Sequence, residues 1–452
     1  MSDPKPSLDL ASTTTIVIAS MIGVGVYTTS GFTLSALQNP MLVVIAWAVG
    51  GVIAICGAIG YSRLASQFHE SGGEYLFLSK TVHPSAGIMA GWVSMLAGFT
   101  GAIAAAALGI EEYTGPLIES VVNTSWIPKH SIAISCVAIA GVLHCIKVNL
   151  AARVQDAIVF VKLLMLIGFI GFAILSFNAW FNDGVKIAEA GEPAAFNLIS
   201  FATQLVWISF SYAGFNAAIY IAGEVVDAKR NVPRAMILGT FLVTILYVML
   251  NTIFVYSTAP DVITSGDNIT KIASVAAQSL GGASMKVFVS LVIIVSLFTS
   301  VSALVMTGPR VYAKMADDGV LPSWFSFRKT TPAAAIIFQC IAAILVITVS
   351  SLAELLGYLG LTLSLCSALT VASIYFIRES LDNSHQTSII SKLPGLASIF
   401  YVVATLILAI LYVVGEVADQ GKPYSAICSG ITLSLGWIWF AVLKYREKRI
   451  NH

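Results

Sequence analysis

Lys162 stands in the middle of the apolar run 154–177. An ammonium at that depth in a membrane helix costs about 2.5–3.5 kcal/mol on insertion scales, so it must find partner groups or a wet cavity. Snorkelling to an interface is the plain alternative, and Lys162 lies deep for that. A second oddity is MIGVGVY (21–27), which places Gly23 and Gly25 inside another apolar run. Each glycine costs roughly 1 kcal/mol against alanine in a helix interior. SFSYAGFNAAIYIAGE (209–224) repeats the pattern further on. A helix broken at such places exposes backbone groups. Amides at the start of a half-helix attract an anion such as a carboxylate, and carbonyls at the end of one attract a cation such as an ammonium. Small residues also serve close helix packing, and spacing alone leaves both readings open.

Other chemistry finds no support. Of the six histidines only His144 lies within a run rather than at a segment end or in a loop, and none pairs at metal-ligand spacing. No metal site and no cofactor is expected. The six cysteines fall in or beside apolar runs without a CxxC pair and read as small apolar fillers. No run holds a convergent acid, base or metal set, so an enzyme is not expected.

The elements that must position these residues follow from composition. Of 452 residues 57% are hydrophobic and 10% charged, with a net charge of +1. So little charge cannot cover a water-facing surface of this size, which predicts an all-α integral membrane protein. The polar start MSDPKPSLDL lacks the basic region and cleavage site of a signal peptide. Runs long enough to span lie near 13–32, 41–66, 86–110, 131–148, 154–177, 199–221, 235–257, 285–307, 333–350, 353–377, 396–414 and 424–443. The ninth and tenth are one continuous stretch, divided at Ser350-Ser351 because a single helix would overshoot the bilayer. Twelve helices result.

Basic residues set the orientation. With the N-terminus inside, inner loops carry Arg63, Lys80, Lys147, Arg153, Lys229, Arg230, Arg234, Arg310 and Lys314, and the C-terminal cluster Lys444, Arg446, Lys448 and Arg449 joins them. The outer loops carry only Lys129, Lys186, Lys271, Lys286 and Lys422. Both termini are expected to be cytoplasmic, in the cell membrane. The two interrupted spans, the first and the sixth, open two halves of five. Five is odd, so the halves would have opposite topology, the arrangement that points to a transport site at the midplane. The chain then divides into an N-terminal tail 1–12, a first repeat 13–177, a second repeat 199–377, two further helices at 396–443 and a tail 444–452.

Several motifs, in order, resemble the amino acid–polyamine–organocation (APC) transporters, and most of all their L-amino-acid transporter (LAT) branch. They are MIGVGVY (21–27), YSRLASQFHESGGEY (61–75), VNLAARVQDAIVFVK (148–162), FSYAGFN (210–216) with EVVDAKRNVPR (224–234), and PRVYAKMADDGVLP (309–322). Val24 is bulkier than the family's usual central residue. The resemblance implies the LeuT-like fold, a 5+5 inverted repeat with two C-terminal helices. It implies that a substrate carboxylate meets the amides around Gly23, Val24 and Gly25, just past Ile22. The substrate ammonium would meet the carbonyls of Met21, Phe210 and Ala213. Phe210 takes the aromatic gate position, and Phe215-Asn216 replaces the common Trp-Asn, altering the gate wall. Lys162 would fill the space of a sodium ion, tying the first break to the 299–302 stretch that includes Ser302.

Sodium-independent movement of neutral L-amino acids by alternating access, through exchange, is the implied activity. Proton-coupled symport on the same fold stays open, since a lysine in a drying site can lose its proton. A channel would need a continuous pore, which no filter-like sequence suggests. Asn216 is read either as a substrate contact or as a structural hydrogen bond, and Glu224 as an ion pair with Lys229 or Arg230. Beyond substrate and lipid bilayer no partner is expected, and no nucleic acid. The loop 111–130 lacks the cysteine through which animal members of the branch bond an accessory glycoprotein, so no disulfide-linked subunit is expected.

Overall fold

The computed structural model describes residues 8–68, 70, 72–119, 126–146, 148–177, 180–181, 196–326, 332–377 and 389–450. Among them the regular structure is helical. The one extended contact is a parallel bridge between Leu8 and Val225.

The chain starts with α1 (Leu10–Met21), whose N-cap Asp9 accepts a hydrogen bond from the Ser12 amide at 2.8 Å, and α2 (Val24–Leu37). The two lie end to end with a bend of 41°. Helix α3 (Pro40–Ala65) begins on an Asn39 cap with proline at its first position, where the missing N–H costs nothing. The short α4 (Gly73–Thr81) leads to α5 (Pro84–Val93), which runs through a π-helical stretch, Ser94–Gly101, into α6 (Ala102–Glu119). Then come α7 (Ser131–Ile146), α8 (Val148–Leu175) and α9 (Leu198–Tyr212). A 3-10 segment, Ala217–Glu224, separates α9 from α10 (Ala228–Tyr256). The remaining helices are α11 (Ile272–Asp317), α12 (Ala333–Val349), α13 (Leu352–Ala372), α14 (Ile389–Gln420) and α15 (Tyr424–Ile450).

Among the described residues eight helices are long and apolar enough to cross a membrane, and the α1–α2 pair passes the same test as one bent span. Three shorter apolar helices accompany them, at Ser131–Cys145, Val159–Leu175 and Ala333–Val349. The stretch divided on paper at Ser350-Ser351 is divided there in the fold. Ser351 caps α13 in a reciprocal box with Glu354, whose carboxylate accepts the Ser351 amide at 2.7 Å. The span read as 285–307 is the middle of a longer helix, α11. A kink at Gly281 and Gly282, where Gly282 takes φ +70°, turns its first residues inward to bury Ile272, Ala273, Ala276 and Ala277.

Apolar side chains face outward as well as inward, and polar ones are buried among them. Leu175, Val349, Ile410 and Ile438 lie exposed on outward faces, while Ser30, Asn251, Thr299 and Gln339 are buried. Lipid contributes no hydrophobic drive between helices, so buried hydrogen bonds and close contacts must hold them together. One such tie fixes the second half of the broken helix. The Trp47 indole of α3 donates to Ser30 Oγ of α2 at 2.6 Å, Ser30 donates to the Asn251 side-chain oxygen of α10, and Asn251 Nδ2 donates to the Tyr247 carbonyl at 2.8 Å. Removing the shared acceptor strands Ser30 in the interior, at a cost of about 1–3 kcal/mol. Asn251→Ala is therefore expected to lower the melting temperature in detergent by several degrees, measured by fluorescence-detected size exclusion after heating. Wild-type melting would mean that the triad does not hold α2.

Candidate functional site

A helix interrupted in an apolar bundle leaves carbonyls at the end of its first half and amides at the start of its second. At the break between α1 and α2 the two sets are treated differently. The carbonyls are taken by side chains from three other helices. Lys162 Nζ of α8 donates to the Ile22 carbonyl at 2.8 Å, and Ser300 Oγ of α11 donates to the same oxygen at 3.3 Å. Tyr247 OH of α10 donates to the Met21 carbonyl at 2.5 Å and also to the Ser211 carbonyl of α9 at 3.1 Å. No described residue accepts a hydrogen bond from the amides of Gly23, Val24 or Gly25. These amides form the positive end of α2, and all three residues line a cavity of about 880 Å³.

The second break lies against the first. Helix α9 stops at Tyr212, Ala213 turns to φ −58° and ψ 149°, and Gly214 adopts φ +99°. A Cβ on Gly214 would come within 2.7 Å of the Ser20 carbonyl oxygen, so only glycine allows both the left-handed backbone and the contact between the two breaks. The C-terminal ends of α1 and α9, both negative, thus line the same cavity as the N-terminal end of α2. The pattern suits a zwitterion, carboxylate toward α2 and ammonium toward the carbonyl ends.

Each sequence-expected residue has a place. Met21, Gly23, Val24, Gly25, Phe210, Ala213, Phe215 and Asn216 all line the cavity. The Met21 carbonyl already holds Tyr247, which leaves one lone pair for an ammonium. Ile22 is buried beside the opening, its carbonyl occupied by Lys162 and Ser300. Phe215 is buried edge-on against Tyr61, with ring centroids 5.3 Å apart. Lys162 is only 2% exposed, and among the described residues no carboxylate pairs with it. Ser300 rather than Ser302 shares its carbonyl; Ser302 Oγ meets His144 Nε2 at 2.8 Å. Glu224 pairs with Arg310 at 3.5 Å, not with Lys229 or Arg230. Glu111 accepts the His130 and Ala133 amides at 2.9 and 3.2 Å and so caps α7.

Two residues escaped the sequence reading. Tyr247 was one more aromatic in an apolar run, and only the crossing of α10 over both breaks reveals its task. Glu74 sat inside the quoted S-G-G-E-Y motif as a loop residue. The fold buries it on α4, where Asn216 Nδ2 donates to its Oε1 at 3.2 Å. A carboxylate therefore lies next to a break, ringed by hydrogen-bond donors.

The two break glycines differ in what surrounds them. A Cβ on Gly25 would lie 2.2 Å from Ser211 Oγ and 2.9 Å from Ser211 Cα, whereas one on Gly23 meets nothing nearer than 4.0 Å. Gly23 has φ −123° and ψ −160°, which alanine tolerates. Gly23→Ala is expected to yield folded protein that binds substrate at least several-fold more weakly, the methyl standing where the carboxylate would sit. Gly25→Ala should instead lose folded protein through the clash with α9. Unchanged binding by folded Gly23→Ala, in a scintillation proximity assay, would move the substrate elsewhere.

Residues 8–442 match the amino acid permease family. The human large neutral amino acids transporter small subunit 2 is 27% identical over 384 residues, covering 83% of this chain and 70% of that protein. The human Asc-type amino acid transporter 1 is 24% identical over 444 residues, 96% of this chain and 83% of the relative. The serine/threonine exchanger SteT of Bacillus subtilis is 27% identical over 355 residues, 77% of each. With a family match over nearly its whole length and broken helices meeting at a shared cavity, the chain belongs to the amino acid permease family, in the APC superfamily.

Proposed function

We propose that this protein is a secondary transporter that exchanges neutral L-amino acids across the cell membrane, without sodium, by alternating access. The observation that carries the reading is that the Gly23–Gly25 amides, which no described residue takes up, and the carbonyl ends of α1 and α9 line one cavity. Backbone groups recognise what all α-amino acids share, and the surrounding walls select the side chain. The names of the relatives, a large neutral amino acid transporter and a serine/threonine exchanger, support neutral substrates and exchange.

Sodium independence rests on Lys162. Its ammonium already supplies a positive charge at the Ile22 carbonyl, where the family resemblance puts a sodium ion in coupled relatives. In this reading the chain crosses the bilayer twelve times with both termini cytoplasmic, and the breaks of α1 and α9 occupy matching positions of inverted halves. The cavity reaches exposed Ala11, Ser12, Thr15 and Glu224 at one end, so this conformation faces inward. Glu74 does not make the site cationic-selective, because its carboxyl is enclosed by Tyr61, Asn216, Ser367 and Cys366.

A screen of radiolabelled amino acids in proteoliposomes, with and without internal substrate, tests the proposal. Neutral amino acids are expected to be taken up, faster with internal substrate present, and at the same rate when choline replaces Na⁺ at constant pH. Steep sodium dependence, or uptake confined to arginine or glutamate, would overturn it.

A further inference from the structure

Glu74 has no part in the exchange reading above, yet its surroundings are specific. It is 4% exposed and sits on α4 where α3, α13 and the sixth-span break converge. Its two oxygens are treated unequally. Oε1 accepts Tyr61 OH from α3, Asn216 Nδ2 from the break at 3.2 Å, and Ser367 Oγ from α13 at 3.2 Å. Oε2 is given only the Cys366 thiol, at 3.7 Å. Glu74 also lines the cavity, so a movement of the groups packed against Oε2 would open it to water.

No cation balances it among the described residues. The titratable groups that face it are the Tyr61 phenol on α3, Tyr220 in the 3-10 segment, the Cys366 thiol on α13 and Tyr401 on α14. All are neutral acids. On its own helix Lys80 is turned to Glu70 at 2.7 Å. An ionised carboxylate taken out of water without a cation is costly, and such groups take up a proton instead. Burial pushes the Glu74 carboxyl above the ordinary carboxylate range, against the pull of its hydrogen bonds.

We propose that Glu74 is a proton-binding site of this transporter, neutral in the conformation seen here, with the proton on Oε2. The three donors on Oε1 are satisfied in either state. Ionisation leaves Oε2 needing water, which the present packing of Cys366 against it excludes. The sign follows. The proton is bound without cost below the ordinary carboxylate range. As pH rises above that range, this conformation loses stability relative to any that hydrates Glu74. Because Asn216 belongs to the sixth-span break, protonation is thereby linked to the segment that frames the substrate cavity. Proton binding itself does not depend on which amino acid is carried; only its effect on transport rests on the exchange reading.

Two measurements on the full-length protein test this. In pH-titrated infrared difference spectra of nanodisc-embedded wild type, a buried carboxylic-acid C=O band should bleach as a single-proton step, its protonated-to-ionised ratio changing about tenfold per pH unit. Glu74→Gln, which keeps the shape and a neutral head, should lack the band. In proteoliposomes with internal pH varied, wild-type exchange normalised to its own maximum should show the matching step, and Glu74→Gln a flat profile. A band that survives in Glu74→Gln, or wild-type spectra without one, would overturn the proposal. So would the same pH profile in both proteins. If no amino acid is exchanged at all, the infrared step still decides the matter, and the two failures stay separate.

Discussion

A broken helix inside an apolar bundle must have its freed backbone groups satisfied, and this protein satisfies only half of them with its own side chains. The carbonyls of Met21 and Ile22 are taken by Tyr247, Lys162 and Ser300, which come from α10, α8 and α11. An unpaired buried carbonyl costs about 1–3 kcal/mol, so each of these bonds holds a helix to the break as much as it holds the break together. Among the described residues the amides of Gly23–Gly25 have no such partners. The fold thus ties down one end of the break and leaves the other open to the cavity.

This asymmetry accounts for much of the surrounding design. Lys162 is tolerable in an apolar setting because its ammonium has a carbonyl to serve, at the negative end of a half-helix. Gly25 and Gly214 are required because the two breaks must touch, α2 against Ser211 and α9 against Ser20. The Ser30–Trp47–Asn251 tie then holds the rest of α2, so that the positive end of the half-helix stays aimed at the cavity. The C-terminal end of α9 adds a second set of carbonyls, and Tyr247 spans both breaks. On the proposed function, a substrate bound between them would complete what the chain leaves open, which is how binding energy would come to bear on the arrangement of the helices.

How much of this was legible in the sequence depends on the physics of each feature. Glycine clusters in apolar runs and a lone mid-run lysine are costly wherever they occur, so they marked Lys162 and two candidate breaks, while the choice of a break over close packing came from the family resemblance. Ser350-Ser351 was legible for the same reason, as a polar stop with a capping glutamate three residues on. Ser302 was chosen over Ser300 because sequence supplies a neighbourhood but no rotation; two residues apart on a helix point to nearly opposite sides. Tyr247 was invisible because a tyrosine in an apolar span is usually packing or an interfacial anchor. Glu74 was hidden by its motif, which reads as a loop until α4 folds between α3 and α13. Glu224 found Arg310, far along the chain, rather than its basic neighbours. Partners set by helix crossings are not written in local sequence.

The central claim is that side-chain capping of the α1 carbonyls sets up the substrate site. It is tested most directly by substrate binding to purified Lys162→Ala, measured by isothermal titration calorimetry. Loss of one buried donor is worth about 1–3 kcal/mol, and 1.4 kcal/mol is a factor of ten in affinity. Binding should weaken roughly tenfold or more while the protein still elutes as a folded species. Lys162→Arg should restore little, since a planar guanidinium does not fit where a compact ammonium sat. Wild-type affinity in folded Lys162→Ala would contradict the account.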